Sequence, residues 1–465
     1  MDKIFVSIFE NMINKLFKKS FFLVALQILT LLVFALLILG AFGITNDDKN
    51  FVKILRNTNI STLIVWSYWW PLIIVSAILF GRFWCSICPM ELITSFFGKI
   101  GLRKKPNNLL KSGWIITLFY ILILIVGIHT LAIHRIPHVM AIYLLILFFA
   151  AIAIGYIWEK RTFCTYVCPI GHLLGLYSLL SFKKLRVKEV KICKNCSSKD
   201  CISKNNHYKF VGRSCTSELY PANISDNRDC ILCGQCHKSC TRNNIAIQKR
   251  KFAADLFTEI KLSWAEISFF IILSGFVVYE ILSEWKVTKS FLMAFPDWIN
   301  QFSGVEGNYK GTVKAFVLFF VFPTFFYTIL VLLKKVFAKE TFKNSLTQLV
   351  IAILPITASM HLLKTIFKTT SRIPYWKFAI SDPIGVDSAQ QIKQNPDLLN
   401  DGFLSILSPY IGTIAILLSA GGIILSLLIV RKQKFNNNYS RIISIIGILI
   451  YAGIFLISLT ARKFL

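Results

Sequence analysis

Twelve cysteines in short runs are the residues best equipped for chemistry in this 465-residue chain. Cys230, Cys233, Cys236 and Cys240 form a C-x2-C-x2-C-x3-C run, and upstream of them Cys193 and Cys196 are followed by Cys201 and Cys215. Two further pairs each end on a proline. They are Cys85 and Cys88 in Gly81-Arg82-Phe83-Trp84-Cys85-Ser86-Ile87-Cys88-Pro89, and Cys164 and Cys168 in Arg161-Thr162-Phe163-Cys164-Thr165-Tyr166-Val167-Cys168-Pro169. Spacings this short let successive thiolates wrap one metal centre. A disulfide framework suits small secreted domains in oxidising compartments, and this chain has neither the size nor the pattern for one.

The 230–240 run resembles the cysteine run of bacterial two-cluster ferredoxins, in which the fourth thiolate reaches the neighbouring cubane. Carried onto this chain, the resemblance implies two [4Fe–4S] clusters with crossed ligands: Cys193, Cys196, Cys201 and Cys240 for one, and Cys230, Cys233, Cys236 and Cys215 for the other. One departure bears on turn geometry. The proline that usually follows the fourth cysteine is replaced by Thr241, and Thr216 follows Cys215. A pair of structural zinc sites is the alternative, although zinc knuckles need no crossed fourth ligand.

The two Cys-Pro motifs close hydrophobic runs. Four thiolates arriving at one depth could hold a third metal centre, either another iron–sulfur cluster or a soft ion such as Cu(I). They could also form a dithiol/disulfide relay, or the proline could merely end a helix. Paired motifs of this kind followed by a ferredoxin-like segment resemble the NapH/NosR/MauN group of membrane ferredoxins and the related CcoG/RdxA assembly proteins. The resemblance covers about residues 60–250; it leaves 263–465 unmatched and lacks the flavin-bearing domain of the NosR type. It implies a membrane-bound electron-transfer protein working between the quinone pool or a cytoplasmic donor and a respiratory or periplasmic reductase. The alternative it implies is a redox maturation factor that reduces metal or disulfide for a metalloenzyme. A scaffold whose clusters only support the fold is the third reading.

The elements that must position these cysteines are membrane helices. Hydrophobic residues make up 55% of the chain and charged residues only 16%, against about a quarter charged in soluble domains. Apolar runs long enough to span a bilayer fall near 21–43, 61–80, 113–133, 138–158, 263–282, 313–333, 346–366, 404–430 and 441–460. The expected fold is an α-helical polytopic membrane protein of about nine spans with an inserted α+β ferredoxin-like two-cluster domain. It divides into an interfacial amphipathic helix (1–20), a four-span domain (21–182), the insert (183–261) and a five-span domain (262–465). The first apolar run reads as an uncleaved anchor. With the N-terminus inside, the short inner loops hold 18 Lys and Arg in 76 residues and the outer segments 13 in 97. This bias predicts a bacterial inner (cytoplasmic) membrane protein with the insert on the cytoplasmic side and the C-terminus outside. The net charge of +29 is then inner-leaflet attraction, and nucleic acid is excluded as a partner.

His129 and His361 should lie at similar depth and could ligate a b-type haem or contact quinone. His134 and His138 flank the short outer turn, where quinone or metal contact is possible. His172 and His237 sit beside cysteine motifs and could hydrogen-bond cluster sulfurs. Glu266 and Glu280 bracket the fifth span as candidate proton-path carboxylates. The outer segments 283–312 and 367–403, with Trp285, Trp298, Tyr375 and Trp376, could dock a redox partner protein or anchor in lipid. No residues assemble into a catalytic set.

Overall fold

The structure is a computed structural model and describes residues 12, 14–19, 21–209, 212–304, 307, 309–400 and 402–461. Most of the expected N-terminal interfacial helix therefore lies outside the described residues. Among the described residues, eight helices are long and apolar enough to cross a membrane: Phe22–Leu39, Ile60–Phe80, Pro137–Ile157, Trp264–Leu282, Tyr309–Ala338, Phe342–Ser381, Phe403–Lys432 and Asn438–Thr460. A shorter apolar helix, Trp114–Thr130, fills the ninth expected position. The chain folds into two compact units, each assembled from separated stretches.

The first unit takes residues up to Leu36, Val75–Ile116 and Leu144–Leu256, and holds all twelve cysteines. Strand β1 (Lys183–Val187) opens the insert and pairs antiparallel with β2 (Ile245–Lys249) near its end, with Leu185 opposite Ile247 and Val187 opposite Ile245. Alternation along a strand sends alternate residues to one face. Leu185, Ile245 and Ile247 accordingly pack with Leu232, Cys230, Cys236, Leu23 and Phe17 in one small core. Phe17 is only 6% exposed, because it turns onto this core and onto the rings of Phe22 and Phe83. Asn14 completes the edge of β2: its amide donates to the Ile247 carbonyl at 3.1 Å and accepts from the Ile247 N–H at 2.9 Å. An unpaired strand edge is thereby covered. The Pro89–Ile100 helix runs so close to the Pro137–Ile157 helix that a Cβ on Gly155 would stand 2.9 Å from the Thr94 Cα.

The second unit takes Leu37–Ile74, Thr117–Tyr143 and Phe257–Leu465. Its bundle uses small residues for close packing, as membrane helices do. A Cβ on Gly422 would fall 2.3 Å from Ser359 Oγ, and one on Gly275 2.8 Å from the Leu318 carbonyl. The Tyr451 hydroxyl donates to the Ser274 carbonyl at 3.2 Å and accepts from Thr357 Oγ1 at 3.1 Å, tying three helices with one buried group. Ser263 and Glu266 form a reciprocal capping box at the start of Trp264–Leu282. Glu266 therefore closes a helix end.

The segments expected as outer loops are largely helical. Lys286–Phe302 is an amphipathic helix, and 367–403 contains the short helices Trp376–Ser381 and Val386–Gln394. The latter packs against Lys49–Thr58 through Ala389, Phe51 and Leu55. Gly385 makes that contact possible. Its φ is +81°, and a Cβ there would meet the Asn59 nitrogen at 2.3 Å, so both conformation and space require glycine.

Candidate iron–sulfur and thiolate sites

Each crossed cysteine set surrounds one cavity. Cys193, Cys196, Cys201 and Cys240 line a pocket together with Tyr220 and Asn244. Cys215, Cys230, Cys233 and Cys236 line a second whose other walls are mainly apolar, with Leu185, Ile224 and Leu232 among them. Local backbone explains how short runs curl around a centre. Leu232 and Gly234 both take positive φ, +53° and +66°, which bends the chain sharply between Cys230 and Cys236. Gly234 then starts the Gln235–Ser239 helix that carries Cys236. Around the first cavity, Asn244 donates from its amide to Cys193 Sγ at 3.1 Å and from its backbone to Cys240 Sγ at 3.3 Å. Donors aimed at sulfur favour the thiolate form.

Burial acts the other way on the second set. It pushes the Cys230 thiol up to about 12 and Cys236 well above its ordinary value. Such thiols ionise only beside a compensating cation or metal. Arg186, buried with Nη2 lacking a hydrogen-bond partner, senses the charge of Cys230.

The Cys-Pro motifs show how a one-residue difference in spacing is absorbed. Cys85 sits in an α-helical turn, Phe83–Ile87, whereas Cys164 sits in a wider π-helical turn, Phe163–Val167. The π-turn closes with the Cys168 N–H on the Phe163 carbonyl at 2.7 Å. The extra residue of the C-x3-C motif is taken up there. Both second cysteines then leave in extended conformation, Cys88 at φ −65°, ψ 134° and Cys168 at φ −52°, ψ 118°, as the residue before proline must. The four thiols lie within charge-sensing range of one another: Cys88 responds to Cys164, Cys168 and Cys85. Burial and mutual repulsion push Cys164 and Cys168 up to about 12.

Beside these thiols lies a buried ionic knot. Glu91, 1% exposed, accepts hydrogen bonds from Arg161, Arg213 and Gln27, and from Ser95 Oγ at 2.8 Å. Burial pushes the Glu91 carboxyl up, but the two guanidinium groups outweigh it and hold it down at about 2. Arg161 keeps Nε and Nη1, and Arg213 keeps Nε, buried without partners. After Glu91, the thiolates of Cys233, Cys164 and Cys215 are the charges that most favour the Arg161 cation. Arg82 likewise has an unpartnered buried Nε and faces Cys85 and Cys168. Unpaired N–H donors and buried cations turned toward cysteines are the surroundings an anionic metal–thiolate centre needs. These residues therefore fit thiolate-bound clusters.

The sequence flagged Arg82 and Arg161 only as lead-ins to the motifs. Glu91 and Arg213 carried no recognisable signal beyond their charge. Among the described residues, no three His, Cys, Asp or Glu side chains converge tightly enough for a single metal ion. Several of the histidines contact backbone. His237 Nδ1 bonds the Ile245 carbonyl, and His172 Nε2 bonds the Gly113 carbonyl at 3.0 Å; both contacts are to backbone rather than to sulfur. His138 Nδ1 accepts from the Gly43 N–H at 3.0 Å. His129 bonds the Leu124 carbonyl at 2.7 Å. Phe319, 5.2 Å from the His129 ring, meets Phe276 edge-on at 5.7 Å, and Phe276 lies 6.2 Å from His361. Phenyl rings thus link the two histidines that were candidates for haem.

Comparison with known proteins agrees with the thiolate reading. A family described as a 4Fe-4S binding domain matches residues 62–108 and 140–188. Those segments contain Cys85, Cys88, Cys164 and Cys168, and end before the insert cysteines. The chain is 26% identical over 181 residues to an uncharacterized protein of Methanocaldococcus jannaschii, covering 37% of this chain and 67% of the relative. A second uncharacterized protein of that organism is 24% identical over 196 residues, covering 37% of this chain and 75% of its own length. No solved structure matches. The chain is thus similar to 4Fe–4S binding proteins, with eight helices of membrane-spanning length and composition among the described residues.

Proposed function

We propose that this chain is a multi-pass membrane electron-transfer protein that binds two [4Fe–4S] clusters in the insert, on the crossed cysteine sets. The observation that carries the reading is the division of the eight insert cysteines between two cavities, four to each, with Cys240 and Cys215 exchanged between the local runs. A bound cubane supplies one-electron chemistry. The residues of the chain set its conditions: Asn244 donates to two sulfurs of one set, and Leu185, Ile224 and Leu232 keep water from the other. Arg161 and Arg82 balance negative charge near the thiolates. The family match over the Cys-Pro segments, with the unpartnered guanidinium donors beside them, supports a third thiolate centre on Cys85, Cys88, Cys164 and Cys168. The loop charge bias supports placing the insert on the cytoplasmic side, and quinone or a soluble donor is the expected source of electrons.

The test is iron and acid-labile sulfide analysis with EPR on anaerobically purified full-length protein. The reading expects about eight iron atoms from the insert and reducible cubane signals. Zinc in place of iron overturns it.

A further inference from the structure

The second unit gathers more cations than the carboxylates beside them balance. Arg56 ends the Lys49–Thr58 helix, Arg135 lies in the turn before Pro137, and Lys364, Lys368 and Arg372 follow one another along and just past the end of Phe342–Thr370. Lys368 lies in charge range of Glu280, Lys364, Arg56 and Arg372, and Arg56 in range of Arg372 and Arg135, with Glu280 a weaker influence. Two carboxylates answer them, and Lys364 engages both: Glu280 at 3.3 Å, and Glu284. Among the described residues, Arg56, Arg135, Lys368 and Arg372 form no ion pair.

Three buried N–H donors at the same place lack an acceptor. They are Arg56 Nε, Trp66 Nε1 and His134 Nδ1. The His134 tautomer follows from its other nitrogen, since Nε2 accepts from Arg135 Nε at 3.0 Å and leaves the proton on Nδ1. The Trp66 ring stands edge-on to His134 at 6.4 Å and carries Lys368 Nζ 5.8 Å above it. Trp66 belongs to a π-helical turn, Val65–Trp69, a deformation often found at functional sites.

Buried donors without acceptors are rare in proteins and call for a partner. A metal ion is repelled here. A neutral carbonyl ligand would satisfy the donors but leave the excess positive charge in place. A ligand with several charged oxygens answers both demands, and arginine, lysine and indole donors converging from three segments suit a tetrahedral oxyanion. We propose that Arg56, Trp66, His134, Lys368 and Arg372 form a binding site for a phosphate-type oxyanion, either free phosphate or the phosphodiester of a lipid headgroup. The site uses none of the cysteines and stands apart from the iron–sulfur reading.

The test uses delipidated full-length protein in detergent. Its thermal unfolding is titrated with inorganic phosphate at constant ionic strength, and separately with short-chain phosphatidylglycerol. Saturable stabilisation by phosphate assigns the free anion, and saturable stabilisation by the lipid alone assigns the headgroup. Trp66→Phe keeps the ring under Lys368 but removes the indole donor, and Arg56→Gln removes one cation. Each should weaken the effective ligand about tenfold, while Lys289→Gln on an exposed surface should leave it unchanged. Absence of saturable stabilisation by both probes overturns the proposal. So does binding by Trp66→Phe and Arg56→Gln as tight as that of the parent protein.

Discussion

Arg161 donates a hydrogen bond to Glu91 across seventy residues of sequence, and each side chain is only 1% exposed. The pair, with Arg213 as a second donor to the same carboxylate, fastens the helix after one Cys-Pro motif to the residue that leads into the other. Removing one partner of a buried ion pair costs about 3–5 kcal/mol, because the remaining charge stays buried. Glu91→Gln should therefore lower the unfolding temperature sharply, more than Glu189→Gln at the surface. Equal melting of the two variants would show that the knot contributes nothing.

The same carboxylate predicts an acid limb in stability. Its folded-state value, about 2, lies below the ordinary 4.5. The stabilisation is therefore present above pH 4.5 and is lost as pH falls from there toward 2; a shift of this size corresponds to roughly 3 kcal/mol. Melting temperature recorded between pH 7 and pH 3 should show a fall below about pH 4.5 that is smaller in Glu91→Gln. An unchanged acid limb in the variant would assign the fall to other carboxylates.

The four motif cysteines give a separable prediction. If they hold a third centre, Cys88→Ser or Cys164→Ser should remove its metal and leave the insert's iron and sulfide intact. Either variant should also melt lower, since thiolate ligation contributes to folding. Metal content equal to that of the parent protein in both variants would leave these cysteines a structural or disulfide role.

Topology is open to a direct check. Gln301 lies at the end of the Lys286–Phe302 helix and Asn436 in the turn before Asn438–Ala461. Three apolar helices, Tyr309–Ala338, Phe342–Ser381 and Phe403–Lys432, separate them. Reporter fusions at the two positions should report opposite sides of the membrane, with Asn436 on the side of the insert. Same-side signals would mean that one of the three does not span.

The spans and the cysteine groups were legible because each is written locally. A run such as Phe22–Leu39 needs lipid whatever surrounds it, and a C-x2-C-x2-C spacing dictates a wrapped centre. What the sequence hid depends on contacts between distant segments. Glu91, Arg161 and Arg213 are ordinary charges until folding buries them on one another. Asn14 caps β2 from 233 residues away. Segments 283–312 and 367–403 read as loops because neither holds an apolar run long enough to span a bilayer, yet Val386–Gln394 needs only Ala389 and its neighbours to pack on Phe51 and Leu55. His129 and His361 were expected at similar depth, but nothing in the sequence pointed to the phenyl rings of Phe319 and Phe276 between them.

The crossed ligand pattern makes the sharpest demand of the insert. Cys240 stands four residues after Cys236, but lines the cavity of Cys193, Cys196 and Cys201 rather than that of its neighbour. The reason is in the backbone. After the Gln235–Ser239 helix the chain turns to extended conformation at Cys240, and Asn244 then holds Cys240 and Cys193 together by donating to both sulfurs. Cys240→Ala should thus deplete the cluster of the 193–201 run and spare the one on Cys230, Cys233, Cys236 and Cys215. Iron should fall by about half of the insert's content, with one set of paramagnetic signals surviving. Asn244→Ala, which keeps every thiolate but removes the side-chain donor to Cys193, should retain the iron and lower the reduction potential of that same cluster, since hydrogen bonds to sulfur favour the reduced state. Loss of the Cys230–Cys236 cluster in Cys240→Ala would instead mean that ligation follows the sequence and not the cavities.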